Sequence, residues 1–258
     1  MSDSATPMQK SQSRRDVAFG LIGVMVSIAL WEIIVRTPML TGVLPSLVDV
    51  FRAVVLSDDR NLFLNALLFT TRNAALGYII GAGIGIALAI LALLVVALRP
   101  GIVRLGAVVN ATPVVALGPV LLATLDRNNI SIAVAAFFVF FSVFITTLSG
   151  FAEASAAHHD LFSALGSDRR KRFRFLEWPV CLPTLASGLK VAAPAAVVGS
   201  IFGEWFGLDR GIGPLLINSM QNYDIASLWG GTLLAGSFSL LLFLMFTVIE
   251  RKVADRFR

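Results

Sequence analysis

The sequence has few charged residues and a single cysteine. Charged side chains make up only 14% of its 258 residues, which is too few to cover a water-soluble globule with polar surface. One thiol, at Cys181, excludes an intrachain disulfide and is too little for a cysteine-based metal site. The chain also has no GxxxxGK(S/T) motif, so it does not bind ATP through a P-loop. These absences argue against a soluble protein, redox chemistry and P-loop ATP hydrolysis.

Patterns typical of catalytic and metal sites are missing as well. The sequence shows no Ser-His-Asp arrangement and no paired carboxylates, which are common groups for nucleophilic and acid-base catalysis. Its two histidines, His158 and His159, are adjacent, so on a helix they point to different faces, and no further ligands cluster near them. We therefore expect no catalytic residue, no metal, no cofactor and no nucleic-acid partner for this chain.

Apolar residues form long runs instead. The hydrophobic fraction is 57% and the mean hydropathy is +0.82. A helix of roughly 20 residues crosses a hydrocarbon core of about 30 Å, and four uncharged runs are at least that long: 73–98, 105–125, 128–152 and 225–249. Two further runs, 17–31 and 184–203, are apolar enough to span. A signal peptide is the alternative for the first of these, but no small-residue cleavage site follows it. The sequence therefore predicts an all-α, polytopic membrane protein with about six transmembrane helices.

Basic residues are unevenly divided between the loops of this topology. Fourteen Lys and Arg side chains fall on the side that carries both termini, and five fall on the other side. Because positively charged loops face the cytoplasm, we expect a multi-pass protein of the cell membrane with both termini cytoplasmic. The chain then divides into a polar tail at 1–16, in which we expect no ordered structure, a single transmembrane domain at 17–250 and a basic tail at 251–258.

Three polar or interfacial residues fall in or at the end of the fifth predicted span. Lys190 lies near the cytoplasmic end, where its long side chain can reach the lipid headgroups. Glu204 and Trp205 close the span at the outer face, either as part of an interfacial belt or as a gate at the solute entrance.

Two prolines, Pro113 and Pro119, interrupt the third predicted span. A proline removes a helical hydrogen bond, and such a break at membrane depth needs other groups to satisfy the backbone. The neighbouring Asn110 and Thr112 either accompany a structural kink or line a translocation path.

The loop at 151–183 carries a pattern of its own. Five basic residues occupy the six positions from Arg169 to Arg174, and basic clusters next to spans orient membrane proteins and attract anionic lipid. Orientation explains neither the helical pattern before this cluster nor the presence of Gly166 and of Pro179, which lies thirteen positions after that glycine.

This spacing resembles the EAA loop of importer-type ABC permeases, in which an acidic residue, a glycine, an aliphatic residue and a proline follow at fixed intervals. The matching residues are Asp160, Gly166, Leu176 and Pro179. Leu161 and Phe162 replace the two alanines of the pattern, and Trp178 replaces a leucine. The segments "LPSLVDV", "SGLKVAAP" and "GEWFGLDRGIGPLL" look like the nitrate, sulfonate, taurine and thiamine-precursor branch of these permeases, and the resemblance covers most of residues 17–250.

The resemblance implies that the loop is a coupling element of two short helices that meet at Gly166 and dock on a cytoplasmic ATPase. A glycine allows a turn with positive φ, and Asp160 would cap the first helix or pair with a cation of the partner. Arg170 and its basic neighbours would serve orientation, docking or both. The apolar contact surface would consist of Leu161, Phe162 and Leu165.

The resemblance also implies the role of a membrane-spanning permease subunit in an ATP-driven, binding-protein-dependent importer. The expected partners are a dimer of ABC ATPase subunits, which would bind ATP and Mg²⁺, an extracytoplasmic solute-binding protein, a second permease copy and the lipid bilayer. The solute would be a small anion such as a sulfonate, nitrate or taurine, with a pyrimidine-type vitamin precursor as the alternative. An ion-coupled secondary transporter would show inverted repeats, and a membrane-embedded enzyme would show polar side chains clustered at one depth; the sequence favours neither.

Overall fold

A computed structural model of the chain describes residues 7–37, 43–56 and 60–257, and the regular structure in these ranges is helical, without strands. Two π-helical stretches, Arg52–Leu56 and Phe173–Glu177, extend α2 and join α8 to α9. The predicted all-α fold is confirmed. The helices in chain order are α1 (Pro7–Val35), α2 (Leu47–Phe51), α3 (Arg60–Leu94), α4 (Arg99–Ala111), α5 (Val114–Thr124), α6 (Arg127–Ala152), α7 (Ala156–Ala164), α8 (Arg169–Arg172), α9 (Trp178–Glu204), α10 (Ile212–Gln221) and α11 (Ile225–Phe257).

The core of the molecule lies where α3, α6 and α9 pack together. Small residues allow the close approach of these helices: a Cβ atom at Gly85 of α3 would lie 2.9 Å from the carbonyl oxygen of Phe140 in α6. A Cβ atom at Gly199 of α9 would lie 2.8 Å from the Cα atom of Ala135 in α6. Backbone contact through small residues is the usual way in which helices associate in a membrane, where burial of apolar surface gives no driving force.

Four helical segments of the described chain are long and apolar enough to cross a membrane, namely α3, α6, the continuous helix Arg169–Glu204 and α11. The pair α4 and α5 adds a fifth only if its two members are counted together. The run expected as the first span lies in α1, whose apolar part, Ile22–Val35, is shorter than a full span. The structure therefore supports four or five spans by length and composition, and does not reproduce the predicted count of six. It also places residues 7–16, where we expected no ordered structure, in the first turns of α1.

The third predicted span is broken rather than kinked. Between α4 and α5 the helix axis bends by 97°. Thr112 has φ −76° and ψ 122°, because the ring of the following Pro113 disfavours helical geometry at the preceding residue. Pro119 lies inside α5 without ending it.

An ion pair joins α9 to α11. Lys190 Nζ lies 2.6 Å from Glu250 Oε2 and donates a hydrogen bond to it, while the Ser187 hydroxyl donates to the other carboxylate oxygen at 2.5 Å. The ammonium group also lies over the ring of Phe243, 5.4 Å from its centroid. A carboxylate one helix away therefore compensates the charge of Lys190, a partner that the sequence did not indicate.

Two tryptophans hold the segment before α2. Trp31 Nε1 donates to the Pro45 carbonyl at 3.2 Å and Trp229 Nε1 donates to the Val43 carbonyl at 3.1 Å. Their rings meet edge to face, with the centroids 4.8 Å apart. α2 then begins after Ser46, whose hydroxyl accepts from the Asp49 N–H at 3.1 Å.

Candidate functional site

The loop between α6 and α9 forms a helical knob, by which we mean α7 and the turn after it, residues 156–167. α7 begins after Ser155, whose hydroxyl accepts a hydrogen bond from the His158 N–H at 3.3 Å. The expectation that Asp160 caps this helix is wrong, because Ser155 is a favoured N-cap residue and starts the helix earlier. Asp160 is exposed in the second turn of α7 and makes no hydrogen bond within the described residues.

The knob ends at a turn that requires a glycine. Gly166 has φ +66°, a conformation that residues with a Cβ atom rarely adopt, and the positive φ expected from the sequence is present. The Ser167 N–H donates to the Phe162 carbonyl and the Gly166 N–H to the Ser163 carbonyl, both at 3.0 Å, as in a Schellman motif. A Cβ atom at Gly166 would meet nothing within 4 Å. Backbone conformation, and not packing, therefore selects glycine here.

The surface of the knob is apolar where a partner could reach it. Leu161 is 55% exposed and Leu165 is 72% exposed, four residues apart on the same face of α7. Phe162 is half-buried. Exposed leucines on a short helix outside the bundle are unusual for a surface that faces only water, and they suit contact with another protein.

The helix after the knob is not short. Asp168 caps α8 by accepting from the Lys171 N–H at 2.8 Å, and α8 runs through the π-helical stretch Phe173–Glu177 into α9 to form one helix of 36 residues, Arg169–Glu204. Pro179 lies in its interior, half-buried. The wider π-helical turn just before Pro179 accommodates the proline, which has no N–H and crowds the preceding turn. The expectation of two short helices is thus correct for the first and wrong for the second.

The basic residues of the loop differ in what they contact. Arg169 Nη2 donates to the Leu93 carbonyl at 2.9 Å and so caps the last turn of α3. Arg172 Nε lies 3.5 Å from Glu177 Oε1. Arg170 is exposed, and its side chain makes no hydrogen bond or ion pair within the described ranges. Arg169 and Arg172 therefore hold the loop, and Arg170 presents its charge to the surroundings.

Three aromatic rings anchor the base of the loop to α6. The centroids of Phe151 and Phe173 are 6.1 Å apart, those of Phe151 and Trp178 are 6.4 Å apart, and those of Phe173 and Trp178 are 5.9 Å apart. Such tilted pairs stabilise beyond the area they bury. The base of the loop is therefore fixed to the bundle, while the knob projects from it.

A buried carboxylate lies at the opposite end of the continuous helix. Glu204, the last residue of α9, is 1% exposed. It accepts hydrogen bonds from the Gly213 N–H at 2.8 Å, from Thr70 Oγ1 at 3.0 Å and from Ser200 Oγ at 3.2 Å. Gly213 lies in the first turn of α10, where free N–H groups favour an anionic acceptor.

The groups around Glu204 join four helices, and we call Thr70, Ser131, Ser200 and Glu204 the Glu204 cluster. The Ile212 N–H at the start of α10 donates to Thr70 Oγ1 at 2.9 Å. Ser200 Oγ lies 2.8 Å from Ser131 Oγ in α6. At Gly211, φ is +111° and a Cβ atom would overlap the Glu204 carboxylate. The cluster therefore fixes the start of α10 against α3, α6 and α9.

The structure separates the two residues that the sequence grouped at the end of the fifth span. Trp205 is 45% exposed and packs edge to face on Phe202, with a centroid distance of 4.9 Å. An exposed, interfacial position is wrong for Glu204, which is buried. The four-residue spacing of Ser200 and Glu204 could have suggested a shared helix face, but the sequence gives no sign of the contact with Thr70, 134 residues away.

A cavity of about 710 Å³ lies beside the Glu204 cluster. It is formed by the first half of α3, the turn at 209–211, α10 and the start of α11, and we call it the Arg72 cavity. Its volume falls within the range of small-molecule sites. Its polar lining residues are Asn65, Arg72, Asp209, Arg210, Asn218, Ser219, Asn222, Asp224 and Ser227.

The other two candidate path residues lie at the break between α4 and α5. Thr112 Oγ1 donates to the Val108 carbonyl at 2.8 Å and so satisfies a free carbonyl at the end of α4. Asn110 is exposed. Within the described ranges no hydrogen bond joins Asn110 or Thr112 to Glu204 or Trp205. The structure thus shows two separate groups of candidate residues rather than one site.

Comparison with known families gives a match over most of the chain. The family model described as "Binding-protein-dependent transport system inner membrane component" matches residues 79–258. The match begins inside α3 and includes the knob, the Glu204 end of α9 and both remaining helices.

Two curated proteins and one solved structure are similar to the chain. The formylaminopyrimidine transport permease protein ThiX of Halalkalibacterium halodurans is 28% identical over 202 residues, covering 78% of this chain and 80% of that protein. The putative aliphatic sulfonates transport permease protein SsuC of Bacillus subtilis is 24% identical over 261 residues, covering 97% and 92%. A crystal structure of an amino acid ABC transporter with histidines superposes with a TM-score of 0.61 at 15% identity, over 80% of this chain and 98% of that one. At this identity the last likeness supports the fold alone.

Proposed function

The chain belongs to the family of binding-protein-dependent transport system inner membrane components, and from this membership we propose how it works. Two copies of this permease enclose a translocation path, an ABC ATPase dimer grips their knobs, and an extracytoplasmic binding protein delivers a small solute to the opposite side. ATP binding and hydrolysis on the partner then drive alternating access of the path. ATP and Mg²⁺ bind to the ATPase, and both termini of the permease are cytoplasmic.

The observation that carries this proposal is the knob. It projects from the bundle with two exposed leucines, Leu161 and Leu165, and its end is shaped by the positive φ of Gly166. Arg170 lies exposed beside it. The chain has no P-loop of its own, so an ATP-driven mechanism would be coupled through contact with another protein, and the knob offers an apolar surface for that contact.

For the solute, we propose a small organic anion such as a sulfonate. The sulfonate relative aligns with nearly the whole chain, and the basic side chains of the Arg72 cavity favour a negative charge. A pyrimidine-type vitamin precursor is the second candidate, since the relative named for formylaminopyrimidine has the higher identity.

The broken helix pair α4 and α5 supports the second permease copy. Both helices are largely exposed along their length, and the break between them leaves non-helical backbone in an apolar segment. Such backbone is tolerated at membrane depth only where protein or a water-filled cavity covers it. A twofold assembly would provide that cover and enclose the path.

The test is uptake into proteoliposomes that contain this permease with its ATPase, supplied with the binding protein and its solute. The solute is first identified by calorimetry on the binding protein. We expect uptake to require internal ATP, to stop with vanadate and to continue with a protonophore. Uptake that stops with the protonophore and continues with vanadate would show a secondary transporter instead. Vesicles with the ATPase alone are the control.

A further inference from the structure

The Arg72 cavity holds two guanidinium groups that are available to an anion. Arg72 and Arg210 line it, and neither forms an ion pair within the described part of the chain. A second, smaller cavity shares Phe69, Asp209 and Arg210 with it and adds Arg127. Three guanidinium groups thus surround one stretch of the molecular surface.

The two carboxylates that line the cavity, Asp209 and Asp224, form no ion pair with these arginines within the described residues. Asp224 is the N-cap of α11, where its Oδ1 accepts from the Ser227 N–H at 3.0 Å. A carboxylate at a helix N-terminus is compensated by the helix itself. Asp209 is then the one cavity carboxylate without such a role in the described residues, and it faces three arginines. Arg72 and Arg210 therefore remain free of a carboxylate partner within the described residues.

The position of Arg72 places this charge at the edge of the membrane. α3 has 35 residues, which is about 52 Å of helix, while the hydrocarbon core is about 30 Å thick. Arg72 lies twelve residues after the start of α3. The part of α3 that follows Arg72 is therefore long enough by itself to cross the hydrocarbon core. A cation at this depth has to face water or an anion rather than lipid, and Arg72 faces the cavity.

The wall of the cavity is fixed in advance. The turn at 209–211 and α10 form that wall, and the Glu204 cluster holds the start of α10 through the N–H groups of Ile212 and Gly213. Gly207 and Gly211 adopt φ values of +88° and +111° on either side of Arg210, a turn that glycine permits at these two positions. A rigid wall lowers the entropy that a ligand loses on binding.

We propose that the Arg72 cavity is a binding site on the permease itself for a small organic anion, with its oxyanion group paired to Arg72 and Arg210. Guanidinium groups bind carboxylate, sulfonate or phosphate oxygens with two parallel hydrogen bonds. The amides of Asn65 and Asn218 lie along the same cavity and can donate to the polar part of the ligand. The inference deepens the proposed function, on which it rests, by giving the permease a solute site of its own.

The test is ligand-detected NMR on the full-length permease in lipid nanodiscs. The probes are ethanesulfonate, propionate and ethyl phosphate, with ethyl methyl sulfone as the neutral control of nearly equal shape. We expect at least one anion to bind and the sulfone not to bind. Arg72→Gln and Arg210→Gln should each weaken binding of that anion about tenfold or more, because a hydrogen bond to a charged group is lost in each. Arg60→Gln, at the start of α3 and outside the cavity, should leave the affinity within about twofold.

Three results would overturn the site. The first is that no anion binds more strongly than the sulfone. The second is that both arginine variants bind the anion as tightly as the unaltered permease. The third is that the variants lose association with the binding protein while no anion signal is seen, which would make the cavity a protein-docking surface. ATP-driven uptake separates this from the proposed function. If a permease that binds no anion still shows normal uptake, only the proposed anion site is refuted. If the unaltered importer binds the anion but shows no ATP-driven uptake, only the proposed ATP-driven mechanism is refuted.

Discussion

Replacing Gly166 by valine should uncouple the ATPase from the permease without disturbing the bundle. Gly166 has φ +66°, and a Cβ atom there would have no neighbour within 4 Å, so the substitution introduces backbone strain and no steric clash. The turn lies outside the packed helices. Insertion and folding of α3, α6 and α9 should therefore be unaffected.

The size of the effect follows from what holds the turn. Its two hydrogen bonds, from the Ser167 and Gly166 N–H groups at 3.0 Å each, contribute about 0.5–1.5 kcal/mol apiece. A residue held in a sparsely populated region of φ and ψ costs on the order of 1–3 kcal/mol, and a β-branched residue at positive φ is a marked outlier. The strain that valine introduces is thus about as large as the stabilisation from the two hydrogen bonds. A cost of about 2 kcal/mol corresponds to a roughly 30-fold decrease in the population of the native turn.

The assay is solute-stimulated ATP hydrolysis by the reconstituted importer, together with co-purification of the ATPase. For Gly166→Val we expect weaker association or hydrolysis that no longer responds to the solute. Gly166→Asn is the matched control, since asparagine tolerates the left-handed region and should keep most of the coupling. A permease with valine at this position that assembles and transports normally would refute the docking role of the knob.

Three further predictions concern other parts of the molecule. Glu204→Ala should lower the thermal stability of the detergent-solubilised permease by the equivalent of about 3 kcal/mol, since it leaves buried donors without an acceptor, and Glu204→Gln should lower it less. Equal melting curves for the unaltered permease and both variants would contradict the role of the Glu204 cluster. Lys190→Met should destabilise the protein more than the double variant with Glu250→Gln, because it leaves a half-buried carboxylate without its cation; additive effects in the double-mutant cycle would argue against a coupled pair. Native mass spectrometry of the importer should find two copies of this chain, and a single copy beside an unrelated membrane subunit would favour a heterodimer.

The helical fold and much of the knob could be predicted because the signals are local. Apolar runs of at least about 20 residues specify long helices, and the glycine and its neighbours specify a turn through their own backbone. Pro113 marked an interruption, but not its 97° size, which depends on how α4 and α5 pack. The N-cap of α7 was also predicted at the wrong residue. Ser155 and Asp160 are both acceptable N-cap residues, and only the structure shows where the helix begins.

The polar contacts within the bundle could not be predicted because they join distant parts of the chain. Lys190 and Glu250 are 60 positions apart, and Thr70 and Glu204 are 134 apart. A single sequence shows that such residues are charged or polar, but not which side chain compensates them. Because Glu204 lies at the end of a predicted span, the sequence suggested an exposed position at the membrane interface. Its burial is possible because it accepts hydrogen bonds from donors in three segments of the chain.

The continuous helix Arg169–Glu204 has a thermodynamic consequence for the importer. One end bonds to α3 beside the knob through Arg169, and the other end holds α10, a wall of the Arg72 cavity, through Glu204. A movement of this helix as one body would alter the knob and the cavity together, which would link the two proposed binding equilibria. Such linkage would be reciprocal: the factor by which a closed ATPase lowered the affinity for solute would equal the factor by which bound solute disfavoured closure. A coupling of about 1–3 kcal/mol would amount to a roughly 5- to 150-fold change at each end.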